Sequence, residues 1–70
     1  MNLCGATSLL TWKAKIGHLG TDEVTYYSNG YTGEVEGWVK ANALSVINRD
    51  SFWEDQPEGS YLIAIEIVEV

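Results

Sequence analysis

The chain of 70 residues is long enough for one small domain, near the lower limit for a core that holds without disulfides or metals. Apolar residues make up 46% of it and include three tryptophans, which excludes a disordered chain, and Cys4 is its one cysteine, which excludes an internal disulfide. The formal net charge of −6 argues against direct binding to nucleic acid or to an anionic membrane surface.

Neither a secretory signal nor a membrane span is predicted. Residues 1–6 lack the basic start and apolar run of a signal peptide, and no apolar run approaches the roughly 20 residues that a spanning helix needs. A single cysteine fits a reducing compartment. We therefore expect one soluble domain over residues 1–70, located in the cytoplasm, with residues 1–7 as a short, weakly ordered lead-in.

The first two predicted strands form a hairpin. Apolar and polar residues alternate from Leu10 to Ile16, which is typical of a half-buried antiparallel strand. Residues 17–22 have the composition of a turn, and Val24–Tyr27 is rich in β-formers. The first strand then shows Leu10, Trp12, Ala14 and Ile16 on one face and Thr11, Lys13 and Lys15 on the other.

The segment after Asn29-Gly30 is predicted to contain the one long helix, over residues 33–49. Its apolar positions recur at helical spacing and form one stripe. Thr32 or Gly33 can cap its start, and Arg49 suits the negative last turn. The stripe consists of Val35, Val39, Ala43, Val46 and Ile47.

The turn signal at Asn29-Gly30 also permits another continuation, in which residues 31–39 form a third strand and only a short helix or turn remains around residues 41–47. Residues 36–44 resemble the Gly-Trp-Val-x-Ala-Asn-x-Leu stretch near the end of SH3-like barrels, and residues 12–16 resemble the strand that precedes it. This resemblance implies a small SH3-like β-barrel that binds a peptide through Trp38 and neighbouring tyrosines. It is the alternative fold.

Residues 49–60 have the composition of a loop, and the strongest strand signal follows at residues 61–70. We expect an α+β fold: an antiparallel β-sheet with one α-helix packed on one face, in the order β-β-α-β. The last strand lies antiparallel beside the first, so the spatial order of strands is third, first, second. Lys13 or Lys15 then meets Glu66 across the strands.

This arrangement predicts the core. Trp12 and Trp38 are both expected inside it. The helix stripe is expected to pack on Trp12, Ile16, Tyr26, Ile63, Ile65 and Ile67. The other face of the last strand is expected to show Leu62, Ala64, Glu66 and Val68.

The sequence offers little for catalysis, so we predict no enzyme and no cofactor. His18 is the only histidine and lies in a glycine-flanked turn, which is typical of a solvated loop residue. Cys4 has no nearby group that would activate its thiol. Zinc needs more Cys and His than the chain contains. Residues 50–58 carry four acids but lack the alternation and central glycine of a calcium loop.

The negative charge is concentrated in the last third of the chain. Residues 1–49 carry four acids and four bases, which cancel, whereas residues 50–70 carry six acids and no base. This asymmetry predicts a negative face that attracts a basic partner, or acids that only confer solubility. Phe52-Trp53 is either an anchor for that partner or, as we favour, folds back over the helix end. The candidate partner-binding residues are Asp50, Glu54, Asp55, Glu58, Glu66, Glu69, Glu34, Glu36 and Trp53.

In size, charge and strand–strand–helix–strand plan the chain resembles the small phage-encoded inhibitors of the anti-CRISPR type. This resemblance of class implies a non-enzymatic inhibitor, a DNA mimic that blocks a nucleic-acid-binding protein complex by presenting carboxylates to its basic DNA or RNA groove. Such an inhibitor would act in the host cytoplasm as a monomer or weak homodimer. The alternative is a small structural or protein-interaction module, a homodimer or an SH3-like peptide binder, whose acidity only serves solubility.

Overall fold

The computed structural model describes residues 8–70, so the predicted lead-in over residues 1–7, with Cys4, lies outside the described residues. The fold is α+β, as predicted: an open antiparallel sheet of four strands with a helix packed against it. The elements in chain order are β1 Leu10–His18, β2 Val24–Tyr27, β3 Thr32–Gly33, α1 Glu36–Ile47, α2 Asp50–Glu54 and β4 Ser60–Glu69.

Strand β1 is the centre of the sheet, and every other strand is antiparallel to it. β4 pairs along the whole of one edge, while β2 and the two-residue β3 share the other. The three long strands therefore lie in the order β4, β1, β2, which is the predicted order. After Asn29-Gly30 the chain forms β3, which pairs with Leu10 and Thr11, and then α1. The segment thus has a short third strand, as in one predicted continuation, and a long helix, as in the other.

The core lies between the sheet and α1. Trp12, Ala14 and Ile16 are almost fully buried on one face of β1, which confirms the alternation predicted there. Against them pack Val39 and Ala43 of α1. The other buried side chains in the described part of the chain are Ile47 and Phe52. The opposite face of the sheet, which carries Lys13 and Lys15, is called the open face below.

A β-bulge in β4 changes which of its side chains face the core. Ala64 pairs with Lys15, but Ile16 pairs with Leu62, so Ile63 is an extra residue. Because strand side chains alternate between two faces, one extra residue moves each side chain before it to the opposite face of the sheet. Leu62 therefore packs against the core and Ile63 is 44% exposed, the reverse of the prediction.

The register of β2 corrects a second core assignment. Ala14 pairs with Tyr27, and Lys15 pairs with Tyr26. Directly opposed residues share a face of the sheet, so Tyr27 lies beside Trp12 with ring centroids 5.9 Å apart. Tyr26, which was predicted under the helix, is exposed on the open face.

Helix α1 is shorter at both ends than the predicted helix over residues 33–49. Gly33 lies in β3, and neither Thr32 nor Gly33 caps the helix. The N-cap is Val35, whose backbone is extended and whose side chain makes no capping hydrogen bond. Arg49 lies beyond α1, as the N-cap of α2. The stripe is otherwise as predicted, since only Val35, which precedes the first turn, is exposed.

Helix α2 replaces part of the predicted loop over residues 49–60. Phe52 is buried and meets Tyr27 edge-on, with ring centroids 5.0 Å apart. The Trp53 indole N–H donates to the Ile47 carbonyl over 2.7 Å, and this carbonyl is one of those left without an intrahelical partner at the end of α1. The prediction that these two rings fold back over the helix end is confirmed.

Trp38 lies outside the core, and the SH3-like barrel is wrong. The residues that resemble a barrel strand, 36–44, are helical. Val39 and Ala43 take the side of α1 that faces the sheet. Trp38 is turned by about 100° from Val39 and is 60% exposed.

Candidate functional site

Two turns meet at one end of the sheet, which we call the turn end. They are residues 19–23, between β1 and β2, and residues 55–59, between α2 and β4. The Leu19 N–H donates to the Gly59 carbonyl over 2.8 Å and holds the two turns side by side. Gly59 has a φ of +88°, a left-handed conformation that glycine adopts without strain, and a Cβ there would stand 3.3 Å from Leu19.

A groove of about 590 Å³ opens at the turn end, and we call it the turn-end groove. Both turns and strand β2 contribute to it, so it depends on the junction between them. Its lining combines apolar, hydroxyl, amide and carboxylate side chains. The lining residues are Ile16, His18, Leu19, Thr21, Glu23, Thr25, Tyr26, Tyr27, Gln56, Pro57 and Glu58.

His18 ties three elements together at this groove. Its Nδ1 lies 3.1 Å from the Ser60 hydroxyl and its Nε2 lies 3.0 Å from the Thr25 hydroxyl. The Ser60 hydroxyl donates its proton to the Pro57 carbonyl over 2.6 Å. A neutral His18 therefore donates from Nδ1 to Ser60 and accepts at Nε2 from Thr25, and both ring nitrogens are satisfied.

This geometry corrects the prediction of a solvated turn histidine. His18 is the last residue of β1 and is half-buried. Its two hydrogen bonds link β1 to β2 and β4. Because the Ser60 proton is donated to a backbone carbonyl, it is not directed at the His18 ring.

Glu23 and Glu58 give the turn-end groove its charge. Both residues line it and both are exposed, while no Lys or Arg is among the lining residues. Asp22 and Asp55 lie in the same two turns, and Glu54 ends α2 just before them. The turn end is therefore a negative surface built from both halves of the chain.

Asp22 and Glu23 are not among the predicted site residues, because residues 1–49 carry equal numbers of acids and bases. A signal for them was present. The predicted order of strands already placed the end of β1 beside the start of the last strand, and therefore placed the first turn beside the acids that precede that strand.

The other predicted site residues do not join the turn end. Glu34 directly follows β3, which pairs with Leu10, and Glu69 pairs with Leu10 on its other side, so these two acids flank the opposite end of β1. Glu36 begins α1 near them, and Asp50 begins α2. The nine predicted residues are thus spread over separate parts of the surface.

Glu66 lies on the open face and is paired, as predicted. Its carboxylate is 3.8 Å from the Lys13 ammonium, the only ion pair among residues 8–70. Both side chains are part-exposed, so the pair contributes little to stability. The Lys13 ammonium also lies 4.9 Å from the Tyr26 ring centroid. The Glu66 carboxylate therefore has a partner within the chain.

Trp53, the aromatic member of the predicted set, is half-buried against the core and its indole N–H is already donated. Within residues 8–70 no group of three or more His, Asp or Glu side chains is placed to hold a metal ion. In the same part of the chain, neither helix has the length and apolar character needed to cross a membrane.

No protein-family model, curated protein or solved structure matches this chain.

Proposed function

We propose that this protein is a non-enzymatic, acidic binding protein whose turn end binds a basic surface of a nucleic-acid-binding protein or complex. The observation that carries the proposal is the turn-end groove, whose lining includes the acidic residues Glu23 and Glu58 and no Lys or Arg. Three further acids adjoin it, and no Lys or Arg of residues 8–70 pairs with any of the five. Carboxylates without internal partners are free to bind cationic side chains.

The groove has the mixed character that suits a lysine or arginine side chain. Such a side chain carries a charged head on a long apolar stem. Leu19 and Pro57, which are exposed, offer apolar contact for the stem, and Glu23 and Glu58 accept charge-assisted hydrogen bonds from the head. A guanidinium can bond a carboxylate in a bidentate manner, which adds geometric specificity.

The proposed action is competition with phosphate. Proteins that bind DNA or RNA place lysine and arginine where phosphate oxygens lie, and these contacts supply most of the sequence-independent affinity. Carboxylates that bind the same lysine and arginine side chains prevent the nucleic acid from binding there. The net charge of −6 also accelerates the encounter through long-range attraction.

Among known classes, this action is that of the phage-encoded inhibitors of the anti-CRISPR type, and we extend the proposal to them. The supporting features are the small size, the acidity and the α+β plan. Such an inhibitor acts in the cytoplasm of the infected cell.

The test is the association rate with a fluorescent arginine-rich peptide, measured at about 0.1 M and about 1 M salt. Replacing the groove pair, Glu23→Gln with Glu58→Gln, should slow association roughly tenfold at the lower salt and little at the higher. The matched control is Glu34→Gln with Glu36→Gln, which removes the same charge far from the groove and should have a smaller effect.

Equal slowing by both double variants would mean that only net charge matters, and an unchanged rate for the groove pair would leave the acids a role in solubility alone. Either result rejects the turn-end site. A second measurement addresses the class: the protein is titrated into purified CRISPR effector complexes bound to DNA. If no complex releases its DNA, the anti-CRISPR assignment is rejected while peptide binding still stands.

A further inference from the structure

The open face of the sheet carries a cluster of large apolar side chains near the turn end. Each of them is between 41% and 53% exposed, and none belongs to the core cluster. Soluble proteins seldom expose neighbouring large apolar side chains except where something binds to them. We call this cluster the open-face patch, and it consists of Val24, Tyr26, Tyr61 and Ile63.

The registers of the strands make these side chains neighbours. Gly17 of β1 pairs with Val24 on one side and with Tyr61 on the other, and directly opposed residues share a face of the sheet. Only a glycine therefore separates these two side chains. Tyr26 lies in the next row of the same face, two residues further along β2.

The bulge in β4 adds Ile63 to the patch. Leu62 packs against the core, and successive side chains alternate between the two faces, so the Ile63 side chain lies on the open face. Ala64, which pairs with Lys15, lies there as well, because Ile63 is the extra residue of the bulge. The bulge thus places two consecutive apolar side chains on one face and enlarges the open-face patch.

Gly17 fixes the position of the Tyr61 ring. A Cβ at Gly17 would stand 2.5 Å from Cζ of Tyr61 and 2.8 Å from its Cε2, so the ring occupies the space that a side chain would fill. Gly17 is accordingly buried, while Tyr61 stays exposed on its outer side. A rigid aromatic ring loses little conformational freedom when a ligand packs on it, which favours it as a binding anchor.

The open-face patch is continuous with the turn-end groove. Tyr26 belongs to both, since it also lines the groove. Val24 directly follows Glu23 of the first turn, and Tyr61 lies two residues after Gly59 of the second. Interfaces between proteins usually combine an apolar centre with a polar rim. The patch has the character of such a centre, and the acidic turn end has that of one side of the rim.

Given the acidic site of the proposed function, on which this inference rests, we propose that the open-face patch and the turn-end groove form one docking surface. Its partner is a protein segment in which apolar or aromatic side chains lie next to lysine or arginine. The cationic side chains enter the groove, and the apolar side chains cover the patch. The groove has eleven lining residues, whereas a specific interface engages about 20–30 residues on each side, so the groove needs an adjoining surface.

Charge selects this occupant over two others. Tyrosine rings also stack on the bases of single-stranded nucleic acid, but its phosphates would then lie beside Glu23 and Glu58, which repel them. The same acids would repel those of a second copy of the chain. Lys15 lies one row further from the turn end and has no ion partner within residues 8–70. The segment therefore directs its lysine or arginine toward the turn end and carries a neutral or acidic residue at Lys15.

The experiment compares two fluorescent peptides of equal length and equal charge. Both carry the same arginines, and one has tryptophan and leucine beside them where the other has serine. Their dissociation constants with the full chain are measured at about 0.1 M and about 1 M salt. We expect the apolar peptide to bind at least about tenfold more tightly at both salt concentrations, because salt screens only the arginine contacts that the two peptides share.

Substitutions test whether this preference arises at the patch. The test variant, Tyr26→Thr with Ile63→Thr, removes one aromatic and one aliphatic side chain and keeps good strand formers. The matched control, Trp38→Ala with Leu44→Ala, removes an exposed aromatic and an exposed aliphatic side chain from α1. The preference for the apolar peptide should fall below about threefold in the test variant and stay at the wild-type value in the control. A circular dichroism spectrum verifies that each variant is folded.

A nuclear magnetic resonance titration of the wild type locates the peptide without any substitution. The methyl signals of Val24 and Ile63 should shift when the apolar peptide is added, and those of Leu44 should not. Equal affinities for the two peptides, equal losses in the two double variants, or unshifted patch signals would overturn the proposal. So would a single-stranded oligonucleotide that binds more tightly than the apolar peptide, or a wild-type dimer that the test variant makes monomeric.

Failure of the patch and failure of the turn-end site give different results. The two peptides carry the same charge, so the ratio of their dissociation constants reports the apolar contacts alone. Replacing Glu23 and Glu58 with Gln should weaken both peptides and leave the ratio unchanged. A wild-type ratio in the test variant rejects the patch, whereas unchanged association rates after loss of the two acids reject the turn-end site.

Discussion

At the scale of single residues, one hydrogen bond connects the core to the surface. Trp12 is fully buried, and its indole N–H donates to the Asn42 side-chain oxygen over 2.9 Å. The same oxygen accepts from the Asn29 amide over 3.0 Å. Asn42 thus joins β1, α1 and the segment after β2. A buried tryptophan N–H without a partner would be costly, so this polar position inside the helix is needed.

Replacing Asn42 with Ala should lower the free energy of unfolding by about 1–3 kcal/mol, because it leaves the Trp12 N–H buried and unpaired. That loss corresponds to roughly 4–8 °C in melting temperature per kcal/mol. The control is Asn42→Asp, which keeps an acceptor oxygen and should lose less. If urea denaturation gives equal losses of unfolding free energy in the two variants, the hydrogen bond to Trp12 does not contribute to stability.

At the scale of elements, the start of α1 is held by its surroundings. A side-chain cap at the N-terminus usually bonds one of the four N–H groups that a helix leaves free. Val35 provides none, and the preceding β3 fixes the entry of the chain by pairing with Leu10 and Thr11. The helix therefore begins at Glu36 because β3 has to end first, although its local sequence offers a cap at Thr32.

Val35→Ser should stabilise the domain relative to Val35→Ala by about 0.5–2 kcal/mol, since only serine can bond a free N–H of the first turn. Both variants remove the same part-exposed apolar side chain, so the difference between them isolates the cap. Thermal unfolding of the pair gives the result. If serine is no better than alanine, the first turn is already satisfied in another way.

At the scale of the whole molecule, a single core supports every element. Among residues 8–70, seven hydrophobic residues are buried, and they come from β1, α1 and α2. Val39 is fully buried at the centre of the α1 contact. The free energy of unfolding of a typical protein is only about 5–15 kcal/mol, and a domain of this size is expected to lie at the low end. Loss of one central contact should therefore destabilise all elements in the same cooperative unfolding transition.

Val39→Asp should abolish cooperative unfolding, because an unpaired charge in the core costs several kcal/mol. The matched variant is Ala41→Asp, which introduces the same charge on the exposed side of the same helix and should remain folded. Far-ultraviolet circular dichroism against temperature distinguishes them. A folded Val39→Asp with a normal transition would contradict the single core.

Patterns short enough to be read within one element predicted most of the fold. The alternation around Trp12 gave the central strand, and the spacing of Val39, Ala43 and Ile47 gave the helix face, because each depends only on the period of that element. The order of strands and the pair of Lys13 with Glu66 also followed, since β4 could lie beside β1 in only one simple way.

Tertiary structure decided the rest. The bulge at Ile63 arises from pairing with β1, and no pattern within β4 reveals it. Trp38 has the composition of a core residue, yet the sheet accepts only one side of α1 and leaves it outside. Glu23 and Glu58 are distant in sequence and share a groove only because two turns are hydrogen-bonded side by side. Which side chains become neighbours depends on contacts between elements, and local periodicity carries no information about them.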